Sequence, residues 1–369
     1  MRALFKYSLL LLNIFLALCL LPARGIPYFN PNLYNWLGWY VLLIPILVLL
    51  QIGFIVFWLL SRKFLFLLVP VLSLVISYPV YAVCLATHPG PEPDKRHDQH
   101  CFGLMSFNVR LLDLYGWSHD ADMRKKIIAY FKVKNPAILC LQEFYTLPDS
   151  KHLDNIKAIQ LACGYRYVSM CNMHASKRGT WGNIIFSHFP ITDKQDYAID
   201  LQGHNLLQRA DICINGDTLS VFNLHLKSNR FNRQEAALVN RDELPDWNDS
   251  TLQESKSIFG KLMDNSANRG IEADIVSAAL EQSHHPVLLC GDLNEIPCSY
   301  PYFHIRHALQ DVFLEKGFGL GKTYRNRFPF LRIDYIFHDT KTDLLSFEKP
   351  DVSYSDHLPL IARFRIQQP

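Results

Sequence analysis

The sequence has little charge, and over two long stretches it has none. Only 19% of its 369 residues are charged and 49% are hydrophobic, which is more apolar than an average soluble protein. No charged residue occurs from Trp36 to Leu60 or from Phe64 to Ala86, and each run exceeds the roughly 20 residues that cross a hydrocarbon core. The composition argues against a wholly soluble protein and predicts two membrane helices, at about 36–60 and 64–86.

A third apolar run, at about 7–21, is shorter. It follows Arg2 and Lys6, as the core of a secretory signal peptide would. The residues after it, Pro-Ala-Arg at 22–24, make a poor small-residue cleavage site. We therefore predict a first membrane span here, with a cleaved signal peptide as the alternative.

Basic residues in the short loops predict the orientation of the spans. Arg2 and Lys6 precede the first span and Arg62-Lys63 separates the second from the third, whereas the loop between the first and second spans carries only Arg24. This pattern predicts a multi-pass protein of the cell (inner or plasma) membrane. Its N-terminus and the 62–63 loop would lie in the cytoplasm, and the chain after Ala86 would lie outside it.

Beyond the spans the chain lacks a basic balance. Of 37 Lys and Arg and 34 Asp and Glu residues, 1–96 hold seven and two, which leaves 30 against 32. Proteins that coat long nucleic acids are usually strongly basic, so any polyanion must bind locally, at a site.

The nine cysteines lack CxxC spacing, which argues against the common zinc sites. Cys140 and Cys290 lie in apolar, strand-like runs and are expected to be small buried residues. Outside the cytoplasm a disulfide such as Cys163 with Cys171 is an option that the sequence leaves open.

Residues 87–100, THPGPEPDKRHDQH, are rich in proline and charge and predict a linker. The remaining residues, 101–369, are enough for one large core or two small ones. Short β-branched and aromatic runs alternate there with helical patterns, which predicts an α/β sandwich of two sheets flanked by helices. One helix is predicted at 118–132, capped by Ser118 or Asp120. The polar, mostly helical segment 228–285 has no role that its pattern reveals.

Polar residues stand where the predicted strands end. If the strands share one sheet edge, these side chains converge, although each alone has an ordinary explanation as a turn residue, a solvated strand end or a core histidine. They are Asn108, Glu143, His225, Asp292, Asn294, Asp334, Asp356 and His357. Carboxylates and amides without a cysteine cluster suit Mg²⁺ rather than zinc. The histidines add donors for a phosphoryl group, and phosphoryl transfer needs little beyond positioning and charge neutralisation.

At these positions the chain resembles the endonuclease/exonuclease/phosphatase superfamily, which includes pancreatic-type deoxyribonuclease, exonuclease III and neutral sphingomyelinase. The resemblance covers about 101–367 and leaves the membrane segment outside it. It rests on seven motifs in the family's order: SFNVR, LQEF, GNIIFSHFPI, NLHLKS, GDLNEIPCSYPY, RIDYIF and SDHLPL. It implies a four-layer α/β/β/α sandwich in the catalytic domain at 101–369, after about three transmembrane helices.

The resemblance also implies roles for the polar residues. The expected ligands of Mg²⁺, with Mn²⁺ as an alternative, are Glu143, Asn108 and Asp356. The expected catalytic residues are Asp292, which orients and deprotonates the attacking water, Asn294, His225 and His357, which contact the phosphoryl group, and Asp334, which pairs with His357. Gly291 is expected to let the chain turn after the strand at 287–290.

We therefore expect a membrane-anchored, Mg²⁺-dependent phosphoesterase, first of all a phosphodiesterase or endonuclease that hydrolyses nucleic acid, with no protein partner implied. A phospholipid-headgroup phosphodiesterase or phosphatase of the sphingomyelinase kind is the first alternative. The second is a catalytically silent, membrane-bound binding module. The WCDR motif of inositol polyphosphate 5-phosphatases is absent, which argues against a soluble inositol phosphate as substrate.

Overall fold

The chain forms two compact units. A computed structural model describes residues 2–88, 101–200, 205–229, 231–232, 234–235, 238, 249–326 and 328–367. The helical unit comprises Met1–Leu85, Asn229–Gly270 and Glu295–His304, and the sandwich unit comprises Ala86–Ser228, Ile271–Asn294 and Ile305–Pro369. Two segments of the predicted domain 101–369 therefore belong to the helical unit.

Three helices are long and apolar enough to cross a membrane, at Leu4–Tyr28, Leu37–Leu60 and Phe64–Cys84. The first is longer than the predicted 7–21, because its helix begins near the N-terminus and continues as a 3-10 helix over Leu21–Tyr28. The α-helices of the chain are α1 Arg2–Leu20, α2 Leu37–Leu60, α3 Leu68–Tyr81, α4 Met123–Lys134, α5 Asn155–Cys163, α6 Asp249–Glu281, α7 Tyr300–Arg306 and α8 Val312–Lys316.

A buried polar group joins α1 to α2. Asn13 Nδ2 donates to Gln51 Oε1 at 2.8 Å, and Trp58 Nε1 donates to Asn13 Oδ1 at 3.1 Å. All three side chains are buried. Buried hydrogen bonds between apolar helices hold them together, so these residues fix how α1 and α2 pair.

The other segments of the helical unit contact the start of α2. A Cβ on Gly38 would lie 2.7 Å from Ser266 Cβ, so α6 can approach this closely only because residue 38 is glycine. Cys298 Sγ lies 3.6 Å from the carbonyl oxygen of Val41. Arg62-Lys63 follows the far end of α2, about 36 Å away at 1.5 Å per residue. Ser266 of α6 and Cys298 thus pack near the end of α2 opposite that basic loop.

Two six-stranded sheets form the sandwich unit. Their strand orders are β13-β14-β2-β3-β5-β4 and β10-β12-β9-β8-β7-β6, and a two-stranded sheet pairs β1 with β11. The strands are β1 Ala86–Thr87, β2 Cys101–Asn108, β3 Ile138–Thr146, β4 Tyr167–Ser176, β5 Gly179–Ser187, β6 Ile191–Ala198, β7 Leu206–Ile214, β8 Asp217–His225, β9 Val287–Asp292, β10 Gln310–Asp311, β11 Phe318–Gly319, β12 Asp334–His338, β13 Thr342–Glu348 and β14 Leu360–Ile366.

The layers are those of a four-layer α/β/β/α sandwich. One core lies between the sheets and includes Leu104, Cys140, Val221 and Cys290. A second core packs the outer face of β2, β3 and β5 against α4 and α5. Beside the other sheet, Ser283 just after α6 donates to Ser220 of β8 at 3.0 Å. The predicted fold class is confirmed.

Each sheet has one parallel pair at its centre, β2 with β3 and β8 with β9, and antiparallel neighbours on both sides. The carboxyl ends of two parallel strands lie at the same sheet edge. The polar residues that close these four strands are therefore brought together in pairs.

Some details differ from the sequence prediction. α4 begins at Met123 with Asp122 as N-cap, without a side-chain cap bond, because Ser118 and Asp120 instead accept from the backbone of Asp120 and Asp122 in the preceding turns. Strands β4, β6, β7 and β13 were not predicted. In β6, residues 192–196 all face solvent, so the strand lacks the alternation of apolar and polar residues that would have indicated it.

The predicted linker and disulfide also change. Thr87 pairs with Phe318, and His88 N donates to Gly317 O at 3.2 Å, so the sandwich unit already includes 87–88. Residues 89–100 of the predicted linker lie outside the described residues. Cys163 and Cys171 are both free thiols, so the disulfide that the sequence left open is not formed.

Candidate functional site

The structure brings the polar strand ends together within the sandwich unit. His225 of β8 lies opposite Asp292 of β9, and Asp334 of β12 lies opposite Asp292 on its other side. Asn108 closes β2, and Glu143 lies on β3, the parallel neighbour of β2. The predicted convergence is observed, although the strands belong to two sheets and do not share one sheet edge. The bond from Asn108 Nδ2 to Asp292 Oδ2 joins the two parts of the group.

Asp292 lies at the centre of the group and is buried. Its Oδ2 accepts from Asn108 Nδ2 at 3.1 Å and lies 3.7 Å from Nε2 of both His225 and His357. Its Oδ1 accepts from the backbone N of Asn294 at 2.8 Å. Burial raises the pKa of Asp292 above its usual range, and the nearby Asp334 carboxylate adds to the rise while the two histidines oppose it. A raised pKa makes this carboxylate a stronger base.

His357 is paired with Asp334. Its Nδ1 lies 2.9 Å from Oδ2 and 3.1 Å from Oδ1 of Asp334, and both residues are buried. Burial alone would lower the pKa of His357, but the carboxylates of Asp334 and Asp292 outweigh it and raise that pKa to about 10. At neutral pH the ring is therefore a cation, with Nδ1–H directed at Asp334 and Nε2–H directed at Asp292.

His225 has no comparable partner. Its Nε2 lies 3.7 Å from Glu143 Oε1 and 3.7 Å from Asp292 Oδ2. Both separations are too long for a hydrogen bond, and among the described residues this buried atom has no hydrogen-bond partner. A buried polar atom without a partner in a cluster of charged groups needs an explanation, and a bound anionic oxygen would provide one.

Glu143 has a strained backbone. Its φ is +47°, in the left-handed region that residues with a Cβ rarely adopt. The ladder between β3 and β5 shifts register between Leu141 and Phe144, so Glu143 sits in a β-bulge. Bulges re-aim a side chain at sheet edges. The Glu143 carboxylate is thereby directed to the site, where Oε1 accepts from Asn108 Nδ2 at 3.3 Å.

Gly291 was expected to let the chain turn. It does not, because β9 continues through Gly291 to Asp292. Its φ is +146°, and a Cβ there would lie 1.9 Å from Leu224 O of the neighbouring strand. Only glycine allows β8 and β9 to approach so closely. The turn comes at Asn294, which has a φ of +52° and donates from Nδ2 to Leu226 O at 3.0 Å.

Asp356 lies beside the group rather than within it. Its Oδ2 is 3.3 Å from Arg110 Nε, and its Oδ1 accepts from Ser355 Oγ at 3.1 Å. Arg110 also donates its backbone N–H to Asn108 Oδ1 at 3.1 Å. Arg110 was not among the predicted site residues, although Arg110 belongs to SFNVR, the motif that carries Asn108.

The donor set fits a divalent cation. Glu143 offers a partly exposed carboxylate, and oxygen donors of this kind suit Mg²⁺ or Mn²⁺. Asn108 directs Nδ2 to the carboxylates in this arrangement, so it would hold a cation only with its amide rotated. One atom each of Asp292, Asp334 and His357 also lie within 4.8 Å of one another. We regard His357 and Asp334 as a hydrogen-bonded pair beside the base Asp292, because His357 Nδ1 is already engaged by Asp334.

Buried amides beneath the site were not predicted. Gln142 Nε2 donates to Asn223 Oδ1 at 2.7 Å, and so links β3 of one sheet to β8 of the other. Gln142 precedes Glu143, and Asn223 lies two residues before His225. The bond therefore fixes the distance between the two sheets directly under the site. The only signal in the sequence is a single amide in each otherwise apolar run.

Tyr324 was also missed. It forms an isolated β-bridge with His357, and their rings meet edge to face with centroids 5.0 Å apart. Burial, followed by the negative charge of Asp356, raises the pKa of Tyr324 to about 12. Tyr324 therefore remains a neutral phenol and packs against the His357 cation. Nothing in its sequence surroundings marks it as part of a site.

Comparison with known families agrees with this geometry. Residues 105–357 match the model of the "Endonuclease/Exonuclease/phosphatase family". The chain belongs to this family. As members are metal-dependent hydrolases of phosphate esters, this endonuclease/exonuclease/phosphatase protein is such an enzyme, dependent on a divalent metal. A second model, described only as a domain of unknown function, matches residues 6–83. No curated protein matches the chain.

Solved structures share the fold of this family member at low identity. An endonuclease/exonuclease/phosphatase from Bacteroides vulgatus is 13% identical, with 72% of this chain and 99% of that one covered and a TM-score of 0.51. The human Nocturnin catalytic domain with bound sulfate anion is 16% identical, with coverage of 72% and 95% and a TM-score of 0.51. A family protein from Bacteroides thetaiotaomicron is 15% identical, with coverage of 73% and 99% and a TM-score of 0.51.

Proposed function

We propose that the protein is a membrane-anchored, Mg²⁺-dependent phosphodiesterase that hydrolyses nucleic acid outside the cytoplasm. The observation that carries the proposal is the unpartnered Nε2 of His225, 3.7 Å from both Glu143 and Asp292. Together with the cationic His357 it places two ring nitrogens 3.7 Å from the same oxygen, Oδ2 of Asp292. A phosphoryl oxygen is the acceptor that such a pair of donors accommodates.

We infer that Glu143 is the main residue that would hold the cation, with Asn108 and Asp356 beside it. When bound, a divalent cation neutralises negative charge on the phosphate and its leaving oxygen. Glu143 has an unusual backbone conformation, with a φ of +47°, and strain of this kind clusters at functional sites. Mn²⁺ has similar ligand preferences and is expected to substitute for Mg²⁺.

Asp292 would orient the attacking water and accept its proton. Its Oδ1 is held by the backbone N–H of Asn294, which leaves Oδ2 facing the histidines. The raised pKa of Asp292 favours proton acceptance. Asn294 uses one amide hydrogen for Leu226 O, and its second hydrogen is left to donate to a phosphoryl oxygen.

His225 and His357 would bind the phosphoryl group as negative charge develops on it. His357 is held as a cation by Asp334, so it supplies charge without reorganisation during the reaction. A catalytically silent binding module would have no use for the strained Glu143 or for a buried base between two histidines. The strained Glu143 and the buried base therefore argue against the binding-module alternative.

The helical unit supports the predicted side of the membrane. The segments of this unit that contain Ser266 and Cys298 contact α2 near its start, the end opposite Arg62-Lys63. The positive-inside rule places the 62–63 loop in the cytoplasm, so these segments would lie outside it. One observation favours the alternative substrate class, a phospholipid headgroup. Residues 295–304, which directly follow the site motif GDLN, belong to the same unit as the membrane helices.

The test is hydrolysis by the full-length protein in detergent micelles with Mg²⁺. Its substrates are single-stranded DNA, RNA, sphingomyelin, phosphatidylcholine and a phosphomonoester. We expect cleavage of DNA or RNA that chelation abolishes and that Glu143→Gln lacks. Headgroup release from lipid without nucleic acid cleavage would replace the proposal by the alternative, and inactivity on every substrate with either Mg²⁺ or Mn²⁺ would contradict both.

A further inference from the structure

A loop after β2 presents two aromatic rings next to the site. We call residues 110–119 the aromatic loop. Four consecutive residues that are not glycine, Arg110 to Asp113, have φ values of 43°, 56°, 55° and 59°. Left-handed backbone costs energy at each such residue. A run of four persists only where the surroundings hold it in place.

The loop is held by its own hydrogen bonds. The Asp113 carboxylate accepts from the Ser118 backbone N–H at 3.1 Å and also from the Ser118 hydroxyl. Gly116 N donates to Asp113 O at 2.9 Å. Leu112 is buried in the core beneath α4. Buried Leu112 and the hydrogen bonds of Asp113 therefore fix the loop in the conformation that leaves its two rings exposed.

The exposed rings are Tyr115 and Trp117, which are 66% and 39% exposed. They meet edge to face with centroids 5.2 Å apart. The guanidinium carbon of Arg110 lies 4.5 Å from the centroid of Trp117. Arg110 in turn contacts Asp356 and Asn108. The pair of rings is thus joined to the candidate site through one arginine.

The surroundings of the rings favour a nucleobase over lipid. Asp113, Asp120 and Asp122 flank the rings, and carboxylates are costly to carry into a bilayer. Asp120 pairs with Lys126 at 2.5 Å and Asp122 pairs with Lys125 at 2.7 Å, so paired charges follow the rings directly in the chain. Stacking gives affinity with any base, and Arg110 brings a positive charge beside the rings.

We propose that Tyr115 and Trp117 stack an unpaired base beside the scissile phosphate, so that the substrate is single-stranded nucleic acid. Arg110, under Trp117, would hold the adjoining phosphate, which its planar guanidinium suits. This inference rests on the proposed phosphodiesterase function. A base inside a duplex is already stacked on its neighbours and presents only its edges, so duplex DNA would gain nothing from these rings.

The experiment compares two oligomers of equal length with the full-length protein in detergent micelles and Mg²⁺. One is a single-stranded oligodeoxynucleotide, and the other carries abasic residues throughout. For Tyr115→Leu and Trp117→Leu we expect the ratio of kcat/KM on the base-bearing oligomer to that on the abasic oligomer to fall about tenfold or more. Trp117→Phe keeps an aromatic face and should restore most of the ratio.

Phe318→Leu is the matched control, because Phe318 is 74% exposed on the short strand β11 and should leave the ratio unchanged. Equal losses on both oligomers, or a wild-type protein that cleaves duplex DNA as fast as single strands, would overturn the stacking inference alone. A wild-type protein that cleaves neither oligomer with any divalent metal would overturn the proposed function and this inference with it. Unchanged melting temperatures of the variants show that they are folded.

Discussion

Both carboxylate oxygens of Asp334 lie within 3.1 Å of the same nitrogen, Nδ1 of His357. The carboxylate therefore faces the ring N–H directly, and the opposite nitrogen, Nε2, is left pointing into the site, 3.7 Å from Asp292.

The stability of the protein should depend on the charge of His357. Its pKa is raised to about 10 in the folded protein, above about 6.5 in the unfolded chain. Its contribution to the free energy of unfolding is fully present below pH ~6.5 and is lost as pH rises through about 10. In the presence of a chelator, His357→Gln should lower the melting temperature more at pH 6 than at pH 10. The exposed His174→Gln is the control, and a pH-independent difference for His357→Gln would contradict the assigned charge.

Asp334 and His357 should act as one unit in catalysis. Either His357→Ala or Asp334→Ala alone should lower kcat and kcat/KM together on a phosphodiester, because the pair supplies one cationic donor. The double variant should lose little more than the worse single variant. Steady-state kinetics of all three variants give the interaction free energy, and additive losses would show that the pair does not act as a unit.

Asp292→Asn should separate chemistry from binding. The amide keeps the shape of Asp292 and its Oδ1 can still accept from Asn294, but it cannot take a proton. We expect kcat to fall by about 10² or more with little change in KM. Asp211→Asn is the matched control, since Asp211 is also buried but bonds to Ser220 on β8, away from the site. An unchanged kcat for Asp292→Asn would remove this residue from the mechanism.

Glu143→Gln should abolish turnover with little loss of stability, because the side chain lies at the sheet edge and fills no core. Titration calorimetry with Mn²⁺ should show weaker binding to the variant, which separates a lost ligand from a lost base. Glu348→Gln, at the exposed end of β13, is the control. Activity of Glu143→Gln within tenfold of wild type would refute the assignment as the main metal ligand.

The orientation in the membrane can be tested by reporter fusions. A reporter that is active only outside the cytoplasm should be active after Pro369 and inactive when placed at Arg62. Fusions to a reporter that is active only in the cytoplasm should give the opposite result. If both reporters placed residue 369 in the cytoplasm, intracellular nucleotides or lipids would become the expected substrates.

The sequence predicted the long apolar helices and the fold class, since both depend on strong local patterns. It also predicted that the polar strand ends meet, but at one sheet edge, whereas the structure brings them together from two sheets. Apolar runs define α2 and the central strands, and residues such as Asp292 and Asp334 interrupt those runs where the strands begin or end. The edge strand β6 was missed because neither face of it is mainly apolar. The registers that place His225 and Asp334 on either side of Asp292 come from tertiary pairing.

Other features had no local signal. Arg110 and Tyr324 owe their place in the site to loops that fold against Asp356 and His357. The segment 228–285 has a polar helical pattern, and the close approach of Ser266 in α6 to α2 depends on Gly38, which lies 228 residues earlier in the chain. Single-sequence patterns carry no information on such pairs.

The hydrogen bond between Gln142 and Asn223 has a consequence for heat inactivation. Hydrophobic contacts have no direction, so the apolar core restrains sliding of one sheet over the other less than a hydrogen bond does. Glu143 stands on one sheet and His225 on the other, so such sliding would spoil their alignment before the sandwich melts. The amide bond restrains that movement. Replacing Gln142 with leucine should therefore lower the temperature optimum for hydrolysis further below the melting temperature than it is in the wild-type enzyme.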